Sequence, residues 1–145
     1  MSIKFIDDLV FDIYIKKELI SDINFNNKNE LEGYLKKLFK ILKNKYNIKI
    51  EGFYNINVYI DKYYGVIFNI EKEDLEYYNY IKNQVDMKVV TIDTEILYLV
   101  DDIPFEIINK ININIKNNNI LIKLKQELTN LEMMRLLEFS KVVYK

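Results

Sequence analysis

Two pairs of adjacent aspartates are the residues of this sequence whose spacing suggests chemistry. Asp7 and Asp8 lie in FIDDLVFDIYI, and Asp101 and Asp102 lie in LVDDIPFEIIN, with a phenylalanine four positions after the first aspartate in both segments. Carboxylate oxygens are preferred ligands of Mg²⁺ and Ca²⁺, so the four side chains would form a metal site if two adjacent strands brought them together. The competing interpretation, which we favour, is that each pair ends a strand and bonds to local backbone amides.

Few other catalytic chemistries are open to this chain. It contains no histidine and no cysteine, which excludes Ser–His and Cys–His nucleophile pairs and also the usual zinc ligands. Its three glycines are isolated, so there is no glycine-rich phosphate loop. We therefore assign no catalytic residue and no cofactor. A carboxylate- and Mg²⁺-dependent hydrolase is the one enzyme class kept as an alternative.

The composition predicts a single domain of a cytoplasmic protein. A chain of 145 residues is the size of one domain, and it has no apolar run long enough to cross a membrane and no signal-peptide pattern. The absence of alanine and the use of one arginine against 20 lysines indicate a bacterium with an AT-rich genome. A net charge of −1 provides no general attraction to nucleic acid or to an anionic membrane.

Hydrophobic spacing predicts the order of elements up to residue 92. Residues 9–16 alternate as a strand, and residues 48–60, 65–71 and 87–92 also favour strands. Between the first two strands, Leu31, Leu35, Leu38, Leu42 and Tyr46 follow a helical spacing, and residues 71–84 predict a second, shorter helix. The order is that of a ferredoxin-like βαββαβ core (about 9–92), with helices on one face of an antiparallel sheet.

The rest of the chain is expected to extend that sheet. Residues 111–116 and 120–124 alternate around the asparagines at 117–119, which is typical of a hairpin. A C-terminal helix is expected to begin after Thr129, with Glu132 at the spacing of a capping box and Leu131, Met134 and Leu137 turned inward. The fold class is therefore α+β, with a C-terminal hairpin and helix completing one domain over residues 1–145.

The segment KYYGVIFN, residues 62–69, resembles the octapeptide of the RNA-recognition motif. Lys62, Tyr64, Gly65 and Ile67 match it, and Phe11 stands where that family places an aromatic residue on its first strand. The resemblance implies that single-stranded RNA would stack on exposed aromatic rings. Alternation along the strand instead places Tyr64 on the apolar face, and the net charge is not that of a typical RNA binder.

A protein partner is the favoured interpretation. Lys36, Lys37, Lys40 and Lys43 lie away from the leucine side of the first helix, where they could meet an acidic partner or simply be solvated. Tyr77 and Tyr80 are expected at the surface, where tyrosine favours interfaces. The alternating ININIK strand could provide a sheet edge for a homodimer. We therefore expect a non-catalytic interaction or regulatory module, with a single-stranded RNA-binding domain and the hydrolase as alternatives.

Overall fold

The computed structural model describes residues 2–20, 22–73, 85–92 and 96–144. The chain divides into two compact units. Unit 1 comprises Met1–Ile60 and Val66–Ile92, and unit 2 comprises Asp61–Gly65 and Asp93–Lys145. Both helices and strands are present, which confirms the α+β class. In the described part of the chain, no helix has the length and apolarity needed to cross a membrane.

A five-stranded mixed sheet and one long helix form unit 1. The elements are β1 (Ser2–Phe5), β2 (Val10–Lys16), α1 (Lys28–Tyr46), β3 (Gly52–Asp61), β4 (Gly65–Lys72) and β5 (Val85–Ile92). The strand order is β1-β2-β4-β3-β5, with Asp61 and Gly65 at the strand ends counted with unit 2. One face of this sheet packs on α1 to form the core. A short 3₁₀ helix, Lys17–Leu19, follows β2.

Helix α1 is formed as its leucine spacing predicts. Leu31, Leu35, Leu38 and Leu42 are buried, whereas Tyr46, at the end of the predicted stripe, is exposed. The side chain of Asn27 caps the helix by accepting a hydrogen bond from the Glu30 amide, 3.2 Å away. Asn47 ends the helix in the left-handed conformation, which asparagine tolerates.

The sheet of unit 1 departs from the antiparallel sheet of the ferredoxin-like prediction. Strand β5 runs parallel to β3, with Val85 beside Gly52. The end of β4 also lies beside the start of β3, because the Glu73 amide donates to the Phe53 carbonyl at 2.9 Å. Because β4 ends and β5 begins at the same end of the sheet, β5 takes the direction of β3. The ferredoxin-like topology is therefore not confirmed.

Unit 2 has its own sheet, so the expectation that residues 95–145 extend the first sheet is wrong. Its elements are β6 (Ile96–Val100), a 3₁₀ helix at Phe105–Lys110, β7 (Ile111–Lys116), β8 (Asn119–Leu124), α2 (Asn130–Phe139) and β9 (Ser140–Tyr144). The strands pair antiparallel in the order β7-β8-β6-β9. The predicted hairpin is β7–β8. Asn117 and Asn118 form its two-residue turn with φ of 53° and 65°, the left-handed values of a type I′ turn.

Helix α2 begins as predicted but buries a different side. Thr129 and Glu132 form the capping box, in which the Glu132 amide donates to Thr129 Oγ1 and the Thr129 amide donates to Glu132 Oε1. Met133 and Leu136 are buried, whereas Leu131 and Met134, predicted to turn inward, are mostly exposed. The helix ends at Phe139 and the chain continues as β9, which the sequence did not predict.

Candidate functional site

The two aspartate pairs belong to different units. Asp7 accepts hydrogen bonds from the amides of Leu9 and Val10 at 2.7 and 2.9 Å, so it closes the turn before β2. Asp101 lies with Asp102 in a bend after β6, where both side chains are exposed. Within residues 2–20, 22–73, 85–92 and 96–144, no group of three or more acidic side chains is placed to hold a metal ion.

A groove of about 530 Å³ in unit 2 contains the second aspartate pair. One wall follows the end of β6, where Asp101, Asp102 and Pro104 lead into the 3₁₀ helix. The other wall is α2, whose side chains at spacings of three and four residues fall on one stripe. The α2 residues that line the groove are Glu132, Arg135, Leu136 and Phe139. The groove is therefore a single surface formed by two neighbouring segments.

Two aromatic rings give the groove an apolar character. Phe105 is 76% exposed and Phe139 is 71% exposed, although both line the groove. Phe105 points outward because Pro104 starts the 3₁₀ helix and Ile107 is its buried member. Phe139 is the last residue of α2. Exposed aromatic rings on one concave surface are typical of a binding site.

The groove is also acidic. Four carboxylates line it, those of Asp101, Asp102, Glu106 and Glu132, against the one cation Arg135. Glu106 pairs with Arg135 at 3.1 Å, and both side chains are more than half exposed, so this ion pair is weak. The two aspartates remain as exposed negative charges in the groove lining.

Glu132 is held in its charged form. Its Oε1 atom accepts a hydrogen bond from Lys110 Nζ at 2.8 Å and from the Thr129 amide at 2.9 Å. The Lys110 hydrogen bond is the main cause that lowers the pKa of Glu132 to about 2, and the Thr129 amide adds to it. This side chain therefore fixes the start of α2, and its negative charge at the groove is balanced by the ion pair with Lys110.

The four α1 lysines proposed for partner binding, Lys36, Lys37, Lys40 and Lys43, are exposed as the sequence predicts, and three of them line a cavity in unit 1. Lys36, Lys40 and Lys43 surround about 390 Å³, with Phe39, Ile50 and Val85 as its apolar lining. Lys37 is exposed on the same helix but does not line the cavity. A role for the four lysines in partner binding stays a prediction.

Asp12 is a buried carboxylate that the sequence analysis did not single out. It lies on β2 with 4% of its surface exposed and accepts hydrogen bonds from Asn69 Nδ2 at 2.8 Å and from the Tyr14 hydroxyl at 3.4 Å. Burial raises the pKa of Asp12, although the two hydrogen bonds and the charge of Lys4 act in the opposite direction. The one signal in the sequence that Asp12 is buried is its position between apolar residues in VFDIYI.

The aromatic residues of the RNA-recognition resemblance are not on an open face. Phe11 belongs to the core that packs on α1, and Tyr64 is also buried. Burial raises the pKa of Tyr64 to about 12. Ile67, which alternation along β4 places on the opposite face from Tyr64, is completely buried as well. Stacking of bases on Phe11 or Tyr64 therefore has no support from their placement.

Two predicted contact residues, Tyr77 and Tyr80, lie outside the described residues, as do residues 74–84 of the helix predicted for 71–84. The first two residues of that predicted helix, Glu71 and Lys72, belong to β4. The groove residues Phe105 and Phe139 were missed. Phe139 ends α2, whose predicted inner residues Met134 and Leu137 are each one position past the buried Met133 and Leu136. Phe105 follows the only proline of the chain.

Three comparisons with known proteins found no relative of this chain. No family model matches it, and neither a curated protein nor a solved structure is significantly similar to it. The functional proposal below therefore rests on the groove of unit 2 and its charges.

Proposed function

We propose that this chain is a cytoplasmic, non-catalytic module that binds another protein, and that the unit 2 groove is its binding surface. The observation that carries the proposal is the exposure of Phe105 and Phe139 on one concave surface. Burying a phenylalanine side chain that is otherwise exposed contributes about 1.5–3 kcal/mol. Two such rings on one groove therefore offer a partner two apolar anchors.

The composition of the groove is that of an interface centre. Aromatic residues and arginine are enriched at the centres of protein interfaces, and Arg135, the only arginine of the chain, lines the groove together with Phe105 and Phe139. Its ion pair with Glu106 is exposed, so a partner that covers the groove would desolvate it. Truncation of either ring is expected to cost more binding energy than truncation of a residue at the rim.

Charge selects the class of partner. The groove has four carboxylates and one guanidinium group. Glu106 pairs with Arg135 and Glu132 with Lys110, so the net negative charge of the lining is that of the exposed Asp101 and Asp102. An amphipathic segment with apolar side chains on one face and lysine or arginine beside them complements this arrangement. The occupant we propose is therefore a basic amphipathic segment of a partner protein, bound with its apolar face towards Phe105 and Phe139.

The test uses a synthetic amphipathic peptide of leucine and lysine as the probe. Fluorescence anisotropy is expected to show binding to the wild type, and the double variant Phe105→Ala, Phe139→Ala is expected to bind at least about tenfold more weakly, because truncation of an aromatic anchor costs more than about 1 kcal/mol. Asp101→Asn with Asp102→Asn is expected to weaken binding of this peptide in low salt.

Leu19→Ala is the matched control, because Leu19 is an exposed apolar residue of unit 1 and does not line the groove. This variant is expected to bind like the wild type. A second control is a peptide in which glutamate replaces lysine, which the acidic groove is expected to reject. Unchanged binding by the double phenylalanine variant, or equal affinity for the two peptides, would show that the groove is not the binding surface.

A further inference from the structure

Strand β7 is an edge strand that lacks the usual protection against pairing. Of the described strands, only β8 pairs with it. Natural edges are commonly protected by charges, proline or a bulge. The ININIK sequence has no proline, its register with β8 is continuous, and its one charged residue, Lys116, is at the end of the strand. The open edge is therefore a neutral, regular strand.

The register with β8 shows which backbone groups of β7 are open. Lys110 lies opposite Lys125 in continuation of the ladder, and the Lys125 amide donates to the Lys110 carbonyl at 3.0 Å. In an antiparallel ladder, residues that exchange hydrogen bonds with the neighbour alternate with residues that face away from it. Asn112 and Asn114 therefore bond to β8. The amides and carbonyls of Ile111, Ile113 and Ile115 point away from β8 to the open edge.

The side chains of β7 are also available to a neighbour. Ile113 is 37% exposed and Ile115 is 65% exposed, and because side chains alternate along a strand they lie on the same face. Asn112 and Asn114 are exposed on the other face. An added strand with the same alternation would extend the isoleucine row on one face and the asparagine row on the other.

We propose that β7 pairs antiparallel with β7 of a second copy of this chain, with the two-fold axis at Asn114. In this register Ile113 lies opposite Ile115 of the second copy, Asn114 lies opposite its own equivalent, and Asn112 lies opposite Lys116. The outward backbone groups of Ile113 and Ile115 then exchange hydrogen bonds. The contact uses the same strand of both copies, so it closes as a dimer.

Charge disfavours the neighbouring register that has its axis at Ile113. An axis at Ile113 would place Lys116 opposite Lys110, and like charges directly opposite are destabilising. An axis at Asn114 places no two charges opposite each other. It also makes Asn114 a non-hydrogen-bonded pair across the axis, in which the two Cα atoms are about 4.5 Å apart.

The chain has no cysteine, so one introduced cysteine reports this register directly. Asn114→Cys is expected to form a disulfide-linked dimer under mild oxidation, because a Cα separation of about 4.5 Å is within disulfide range. Asn112→Cys is the matched control. Its two copies would be four positions apart along the strand, about 13 Å, so it is expected to remain monomeric on a non-reducing gel. Equal cross-linking of the two variants, or none in Asn114→Cys, would overturn the register.

Light scattering tests the dimer itself. The wild type is expected to show twice the chain mass of 17.5 kDa. Ile113→Pro removes an amide that points away from β8, so it is expected to give the monomer mass with the fold preserved by circular dichroism. Ile113→Ala keeps the amide and is expected to remain a dimer. A monomeric wild type, or a dimeric Ile113→Pro variant, would overturn the proposal.

The groove and the edge are tested separately. Phe105→Ala with Phe139→Ala is expected to leave the dimer mass unchanged, because neither residue is on β7. The peptide assay can fail while the dimer forms, and the dimer can be absent while the peptide binds. The two proposals therefore do not depend on each other.

Discussion

At the scale of single residues, the buried carboxylate of Asp12 gives a prediction with a definite sign. Burial raises its pKa above the ordinary value of 3.8, so the folded state binds the proton more tightly than the unfolded state does. The free energy of unfolding therefore falls as the pH rises from 3.8 through the raised pKa, and the charged form is a net cost at neutral pH. Asp12→Asn is expected to raise the melting temperature at pH 7 and to remove this pH dependence, as measured by calorimetry.

The matched control for this variant is Asp12→Ala. Asparagine keeps an oxygen that accepts from Asn69 Nδ2, whereas alanine leaves that partly buried donor without this acceptor. Asp12→Ala is expected to lower the free energy of unfolding by about 1–3 kcal/mol. If the asparagine variant were less stable than the wild type at pH 7, the charged form would be the better partner of Asn69 and Tyr14.

The exposure of single residues could be predicted in elements that bury only one face. The helical spacing of α1 correctly separates the buried leucines from the exposed Lys36 and Lys40. On β2, alternation identifies Phe11 and Ile13 as buried but treats Asp12 as exposed. Both faces of this strand are buried, and a polar residue that is paired within a buried face has the same pattern as one that faces water.

At the scale of elements, the capping box of α2 combines a hydrogen-bond effect with a charge effect. Thr129→Ala removes the oxygen that accepts from the Glu132 amide and is expected to lower the free energy of unfolding by about 1 kcal/mol. The hydrogen bond from Lys110 lowers the pKa of Glu132 from 4.5 to about 2, so the charged carboxylate contributes stability above pH 4.5. This contribution is expected to disappear as the pH falls from 4.5 to about 2, as measured by urea unfolding at a series of pH values.

Glu132→Gln separates the two effects. Glutamine can complete a capping box without a charge, so this variant is expected to retain α2 while its stability no longer responds to Glu132 protonation. The difference in unfolding free energy between wild type and variant should therefore narrow as the pH falls from 4.5 to about 2. A difference that stays constant through this range would show that the charge of Glu132 does not stabilise the fold.

Elements with a local signal could be predicted, and those defined by their neighbours could not. The box at Thr129 and the asparagine turn of the β7–β8 hairpin are written in short segments, and both are present. The inner side of α2 was assigned wrongly because leucine and methionine occur on several sides of that helix. Strand β9 was missed because it continues directly from α2 and is stabilised by pairing with β6.

At the scale of the whole molecule, strand order and sheet number were beyond the sequence. Periodicity identifies β5 as a strand but does not say that it lies parallel to β3. It also identifies β7 and β8 without showing that they join other strands in a second sheet. Pairing is decided by contacts between segments distant in the chain, and a single sequence does not record them. The open edge of β7 follows from that second sheet.

The division into two units leads to a prediction about unfolding. Residues Asp61–Gly65 join β3 to β4 of unit 1 but cluster with unit 2, where the Tyr98 hydroxyl donates to Asp61 Oδ2 at 3.2 Å. Loss of unit 2 would release the turn between two neighbouring strands of unit 1. We therefore expect one cooperative transition, as the single domain predicted for residues 1–145 also requires.

Isoleucine methyl signals in NMR spectra can follow the unfolding of each unit through a urea titration. Ile56 reports on unit 1 and Ile122 on unit 2, because both side chains are buried. Their midpoints are expected to coincide. Tyr98→Phe removes the hydrogen bond to Asp61 and is expected to lower both midpoints together, by about 1 kcal/mol in unfolding free energy. Two separate midpoints in the wild type, or a shift of Ile122 alone in the variant, would mean that the units unfold independently and that the chain contains two domains.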